Sequence, residues 1–158
     1  HISEIRGLLN PGFGGIHPEP IARYLNELSA AVQRTQADVG LATDGDADRI
    51  GAMDANGRFI DPHTIFALVL RQLVEEKGLR GDVVKTVSTT LMIDSLCDKH
   101  NLTLHETPVG FNHIADLMMK GDVLMGGEES GGITIRGHVP AGDGILMGLL
   151  LLEVMTAY

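Results

Sequence analysis

Apolar residues recur along this chain at two alternating periods. Ile21, Tyr24, Leu25, Leu28 and Val32 sit at helical spacing behind Pro18 and Pro20, and predict a helix from there to about Gln36. The segment Asp38 to Ala42 reads as a short buried strand. Ile50 to Met53 and Arg58 to Ile60 flank Asp54-Ala55-Asn56-Gly57, and Asn-Gly between two short apolar runs predicts a hairpin. Asp61-Pro62 opens a further helix, with Asp as N-cap and Pro in the first turn; Gly78 ends it. Beyond it the pattern predicts strands over 82–87, 102–106, 122–125 and 133–136. Helices are predicted over 91–100, 111–120 and 144–157, with Asp143 capping the last.

Strands alternating with helices of this length imply an α/β sandwich with a largely parallel sheet. The hairpin near residue 56 interrupts the alternation and sets a domain boundary there, dividing the chain into 1–58 and 59–158.

Composition narrows the partners. A chain of 158 residues can bury roughly 70% of its unfolded surface, enough for a real core. Its 12 basic and 21 acidic residues leave a net charge of −9, which argues against nucleic acid and anionic membranes. A phosphorylated substrate stays compatible, because a cation and a few basic groups act locally. Cys97 is the only cysteine, so no internal disulfide forms, and a reducing, cytoplasmic setting is expected. Cys97 lies in a helical pattern and reads as a small core residue. No signal peptide is evident, and the longest apolar run, Ile145 to Leu152, is broken by Gly148 and too short to span a bilayer. The first residues already look like interior sequence, so an excised piece of a longer protein is expected.

The chemistry concentrates in Asp44-Gly45-Asp46-Ala47-Asp48-Arg49, directly after the strand ending at Ala42. Three carboxylates at alternate positions repel one another unless a cation neutralises them. Hard oxygen ligands select Mg²⁺, Ca²⁺ or Mn²⁺ over Zn²⁺ or Cu²⁺. An EF-hand fits Asp44, Asp46 and Asp48 but fails at its sixth and twelfth positions, where Arg49 and Ala55 stand. A solvated acidic turn is the plain alternative. Arg49 beside the metal could grip a phosphate in bidentate fashion.

A second loop, Gly126-Gly127-Glu128-Glu129-Ser130-Gly131-Gly132, offers acceptors and a hydroxyl amid glycines, which suits sugar hydroxyls. A Ser nucleophile elbow would need Gly where Glu128 stands. Lys85, inside an apolar strand, must reach solvent or an anion. Ser88, Thr89 and Thr90 precede a helix and read as capping residues. The histidines show no zinc-ligand spacing.

Together these residues resemble the α-D-phosphohexomutases, the phosphoglucomutase/phosphomannomutase family. Phe13-Gly14-Gly15 with Pro18-Glu19-Pro20, the Asp loop from Thr43 to Arg49, Thr107-Pro108-Val109-Gly110-Phe111 and Gly126 to Gly131 come in the family's order and spacing. The resemblance covers nearly the whole chain. It implies a three-layer α/β sandwich with a mixed, largely parallel sheet, made of the later part of domain 2 (residues 1–58) and domain 3 (residues 59–158). It also implies a four-domain enzyme that interconverts hexose 1-phosphates and 6-phosphates through a phosphoserine and a bisphosphorylated sugar. By this likeness Asp44, Asp46 and Asp48 hold Mg²⁺. Arg49 and Lys85 serve catalysis, and Glu128, Glu129, Ser130 and Gly131 bind the sugar. Many relatives carry Lys where Asn112 stands, and some carry His where Gly132 stands. Relatives acting on phosphoglucosamine tend to carry Gln where Glu129 stands, so glucose or mannose phosphates are expected. No Ser-His-Asn-Pro phosphoserine loop is present. Its partners are therefore the missing domains 1 and 4; alone the chain is expected to be inactive and prone to self-association. Two other readings are an Asp-nucleophile phosphatase and a Ca²⁺-stabilised structural module.

Overall fold

A computed structural model describes residues 1–157 and shows a mixed α/β protein with two sheets. The first contains β1 (Val39–Thr43), β2 (Ile50–Asp54) and β3 (Phe59–Ile60) in the order β1-β2-β3, all antiparallel. The second contains β4 (Asp82–Thr86), β5 (Leu104–Thr107), β6 (Val123–Gly127) and β7 (Ile133–Ile135) in the order β5-β4-β6-β7. Its first three strands run parallel and β7 is antiparallel to β6, giving the mixed, largely parallel sheet expected.

The helices are α1 (Asn26–Thr35), α2 (Pro62–Arg71), α3 (Met92–His100), α4 (Phe111–Lys120) and α5 (Gly144–Ala157). Helix α1 starts later than the periodicity predicted. Ile21 is extended, with φ −107° and ψ 157°, and only a short 3₁₀ turn, Ala22–Tyr24, precedes Leu25. Two prolines hold the preceding segment open. That segment instead lies against β2, where a methyl group on Gly51 would stand 2.1 Å from the Pro20 carbonyl oxygen.

Asp61 caps α2 by accepting from the Thr64 N–H at 2.8 Å. The helix continues as a π-helical turn, Gln72–Glu76, and ends at Gly78, whose φ of +65° suits glycine. Helices α2 and α5 lie between the sheets. Ile65, Phe66, Val69 and Leu70 of α2 and Met147, Leu150 and Leu151 of α5 share one core with Ile50 and Ala52 of β2 and with Val83, Met125 and Ile133. The opposite face of the second sheet is covered by α4, where Val84 and Val123 meet Ile114. Neighbouring Val83 and Val84 thus serve different layers, as strand alternation requires. Truncating Phe66 to Ala would cost about 3–5 kcal/mol.

Helix α5 is apolar on nearly every side, with Glu153, paired to Lys77 at 2.8 Å, its one charged residue. Its inner residues are buried, while Ile145 and Leu149 are exposed. No helix among the described residues is long and apolar enough to cross a membrane.

Candidate active site

The metal-loop candidates lie between β1 and β2. The Asp44, Asp46 and Asp48 carboxylates each offer an oxygen within 4.8 Å of the others, the one such cluster among the described residues. Asp44 is buried, while Asp46 and Asp48 are exposed. Arg49 folds back onto the group. Its N–H donates to Asp44 Oδ1 at 3.2 Å and its Nε to Asp44 Oδ2 at 2.5 Å, with Asp48 Oδ1 3.5 Å from Nε. Glu19, from the Pro-Glu-Pro segment, lies 3.7 Å from the same guanidinium.

This crowding divides the proton affinities. Burial would raise the Asp44 carboxyl, but the hydrogen bonds from Arg49 outweigh it and hold that group below its ordinary value. Asp48, although its side chain is 52% exposed, is pushed up to about 6 by partial desolvation of its carboxyl, by its hydrogen bond with Asp44 and by the charges of Asp44 and Asp46. Arg49 faces Asp44, Asp48 and Glu19, and Asp46 adds a further carboxylate, so the cluster is short of positive charge and an oxygen-loving divalent cation fits the three aspartates.

The second loop joins β6 to β7 at the carboxyl edge of the sheet. Glu128 N–H donates to the Gly132 carbonyl at 2.9 Å, closing the turn. Glu128 Oε1 accepts from the Gly110 N–H at 2.9 Å, and Ser130 Oγ donates to Glu128 Oε2 at 3.3 Å. Glu129 has a different set of partners. Its carboxylate accepts from Thr86 Oγ1 at 2.9 Å, and that hydroxyl also meets Thr89 Oγ1 at 2.9 Å and Ser88 Oγ at 3.3 Å. Burial works against Glu129, but the Ser88, Thr86 and backbone donors and the nearby His63 charge lower its value.

The two loops abut. Gly131, at φ +102°, backs onto β2 so closely that a methyl group there would stand 3.0 Å from the Ile50 carbonyl oxygen. Lys85 is not gathered with them. Its side chain is 1% exposed, and its ammonium bonds Asp94 on α3 at 2.5 Å with Glu106 at 3.7 Å. Ser88 and Thr89, read as capping groups, serve the Glu129 network instead. Gly110 received no role from sequence. Its φ of 130° and ψ of 117° are open only to glycine, and that geometry aims its N–H at Glu128. Cys97 is buried and burial pushes its thiol up to about 11, consistent with a core residue.

A cleft of about 790 Å³ runs between segment 4–28 and β1 and reaches Asp44 and Gly45. Its lining includes Leu28, Leu41 and Phe13 but none of the Glu-Glu-Ser loop. The Glu-Glu-Ser loop therefore lies outside this cleft, which touches the acidic loop 44–49 only at Asp44 and Gly45.

Residues 3–57 match the model of phosphoglucomutase/phosphomannomutase α/β/α domain II, and residues 61–158 match that of domain III. The phosphoglucosamine mutase of Nitratidesulfovibrio vulgaris (strain DP4) is 36% identical over 155 residues, which is 97% of this chain and 33% of the relative. That of Rubrobacter xylanophilus is 41% identical over 119 residues, covering 75% of this chain and 27% of the relative. Among solved structures, a protein assigned as a phosphomannomutase from Thermus thermophilus superimposes with a TM-score of 0.89 at 40% identity, over 94% of this chain and 34% of that one. This chain thus spans about a third of the length of these relatives. By sequence and by fold it belongs to the phosphoglucomutase/phosphomannomutase family.

Proposed function

We propose that this chain supplies the metal-binding and sugar-binding loops of a Mg²⁺-dependent phosphotransferase that interconverts hexose 1-phosphates and 6-phosphates. One observation carries the reading: a three-carboxylate cluster with an arginine abuts a loop whose Glu128 and Ser130 are already oriented by hydrogen bonds. Phosphoryl transfer depends on positioning and on neutralising charge at the transferring group. A Mg²⁺ ion at Asp44, Asp46 and Asp48 would supply that neutralisation. Arg49 can hold a phosphate oxygen beside it. Glu128 and Ser130 would accept from and donate to sugar hydroxyls, with Gly110 holding the carboxylate in place. Lys85, buried against Asp94, acts on the substrate only if that pair opens. The phosphoserine comes from another part of the protein, so this chain alone is inactive and meets the remaining domains in a cytoplasmic enzyme.

Glucose and mannose phosphates are the proposed substrates, on the Glu at position 129. A second reading, phosphoglucosamine, is favoured by the names of the curated relatives, and Glu129 bonds Thr86 rather than facing an open site. The test is a mutase assay on the intact protein with glucose, mannose and glucosamine 1-phosphates, Mg²⁺ and a catalytic sugar bisphosphate. Conversion to a 6-phosphate supports the class, and the ratio of rates names the substrate. Release of inorganic phosphate without isomerisation would replace it with the Asp-nucleophile phosphatase reading. Stabilisation by Ca²⁺ alone, without turnover, would favour a structural module.

A further inference from the structure

The link between β7 and α5 passes through the place where the two loops meet. A methyl group on Gly142 would stand 2.6 Å from the Asp48 carbonyl oxygen and 2.9 Å from Gly132 Cα, with main chain on both sides. One on Gly144 would stand 2.2 Å from the Arg49 carbonyl oxygen and 3.2 Å from that of Ala47. The Gly144 N–H donates to the Ala47 carbonyl at 2.8 Å. Between the glycines, the Asp143 N–H donates to the Ile133 carbonyl at 3.1 Å, and its carboxylate caps α5 at the Leu146 N–H at 2.8 Å.

Ala47 is the residue this contact restrains. It sits between two of the clustered aspartates with φ +60°, a left-handed conformation that costs a non-glycine residue about 1–2 kcal/mol. Within the loop its N–H makes only a long bond to the Asp44 carbonyl, at 3.3 Å. Such a conformation persists only where the surroundings over-determine it.

We propose that the Gly142-Asp143-Gly144 turn is a positioning element that sets the metal loop against the sugar loop, with Gly142 as the spacer between them. The proposal rests on the mutase reading. Neither glycine has a side chain to offer a ligand. Main chain on both sides cannot swing aside as a side-chain tip can, so a methyl group at position 142 must drive one loop away from the other. A shift of even about 0.5 Å exceeds the roughly 0.2 Å tolerance of metal–oxygen distances.

The test compares Gly142→Ala with Gly137→Ala in the intact protein. Gly137 lies on the same connection, with φ +88° and no heavy atom within 4 Å of an added methyl group. It reports backbone strain without contact to either loop. Mn²⁺ binding is read from the loss of the free-ion EPR signal, alongside kcat and KM. Gly142→Ala is expected to weaken Mn²⁺ binding by about tenfold or more, the scale of losses when groups supporting metal ligands are disturbed. Its kcat should fall by a larger factor than KM rises. Gly137→Ala should lower Tm and keep Mn²⁺ affinity within about twofold, as expected of a site without loop contact. Unchanged Mn²⁺ affinity in Gly142→Ala overturns the positioning role alone. A parent protein that binds no Mn²⁺ overturns both the role and the metal reading. If Gly142→Ala does not fold, amide exchange in the unmodified protein decides. Saturating Mg²⁺ should slow exchange of the Gly144 amide and leave the Gly137 amide as it was; an unaffected Gly144 overturns the proposal.

Discussion

The metal loop and the sugar loop abut one another, yet they solve opposite problems. In the metal loop three carboxylates crowd together and two of them, Asp44 and Asp48, lean on the one Arg49 guanidinium; one carboxyl is pushed up to about 6, and Ala47 is held in a left-handed conformation. In the sugar loop both glutamates are satisfied by neutral donors: Gly110, at the start of α4, for Glu128, and Thr86, at the end of β4, for Glu129. The first loop is short of positive charge and gains from a cation. The second is complete before any ligand arrives. Two adjacent loops of one fold are thus prepared by different routes, one by withheld neutralisation and the other by prior hydrogen bonding.

The largest expected effect falls on the charge-poor loop. Asp46→Asn in the intact enzyme should reduce turnover by about a thousandfold or more, since metal-assisted charge neutralisation is worth several kcal/mol. Tm should move by no more than a few degrees, because Asp46 is exposed. Near-normal turnover would remove the metal assignment. The sugar loop should respond differently. Glu128→Ala is expected to raise KM for the sugar phosphate by about ten- to hundredfold, as loss of charge-assisted bonds worth about 1.5–3 kcal/mol implies, while Mn²⁺ affinity holds. Equal losses in both binding constants would erase the division between the loops.

Gly110→Ala tests the prior hydrogen bonding. An alanine forced to φ 130° should destabilise the fold by about 1–3 kcal/mol in urea unfolding, and should weaken sugar-phosphate binding in step with Glu128→Ala. A variant with parental stability would show that the backbone relaxes there without cost.

The smallest effect, and the sharpest in sign, is the pH dependence of stability in the metal-free protein. Asp48 has a folded value of about 6, above its ordinary 3.8. Its stabilising contribution is therefore present below about 4 and is lost as pH rises through about 6. Glu129 is shifted below its ordinary 4.5, so its contribution is present above that value and lost as pH falls. Asp48→Asn should flatten the decline between about pH 4 and 6, and Glu129→Gln should flatten the acid arm below about 4.5. Curves unchanged by both substitutions would contradict the opposed electrostatics.

Much of the architecture was legible from local pattern. Asp61-Pro62 and Gly78 bracket the α2 region because capping and left-handed glycine act within one turn of chain. Phe111–Lys120 forms the helix its periodicity indicates, and Asn56-Gly57 turns the β2–β3 hairpin. The segment at Pro18–Pro20 departs from its pattern because its two prolines hold it open and it packs against β2, and no local signal reports that neighbour.

By itself, then, the sequence determined which residue types gather in each loop, the alternation of strands and helices, and the family to which the chain belongs. These depend on neighbours a few positions apart, where side-chain chemistry and backbone preference act directly. Only the tertiary structure decided that Glu128 and Glu129 part ways, that Lys85 turns inward to Asp94, and that Gly110 aims its N–H at Glu128. It alone decided that Gly142 stands between the two loops. Most of those contacts join residues separated by a strand, a helix or a sheet crossing, and the Lys85–Asp94 pair depends on how α3 packs on β4. Their geometry is set by how the layers pack, and close packing leaves no local trace in the order of the residues.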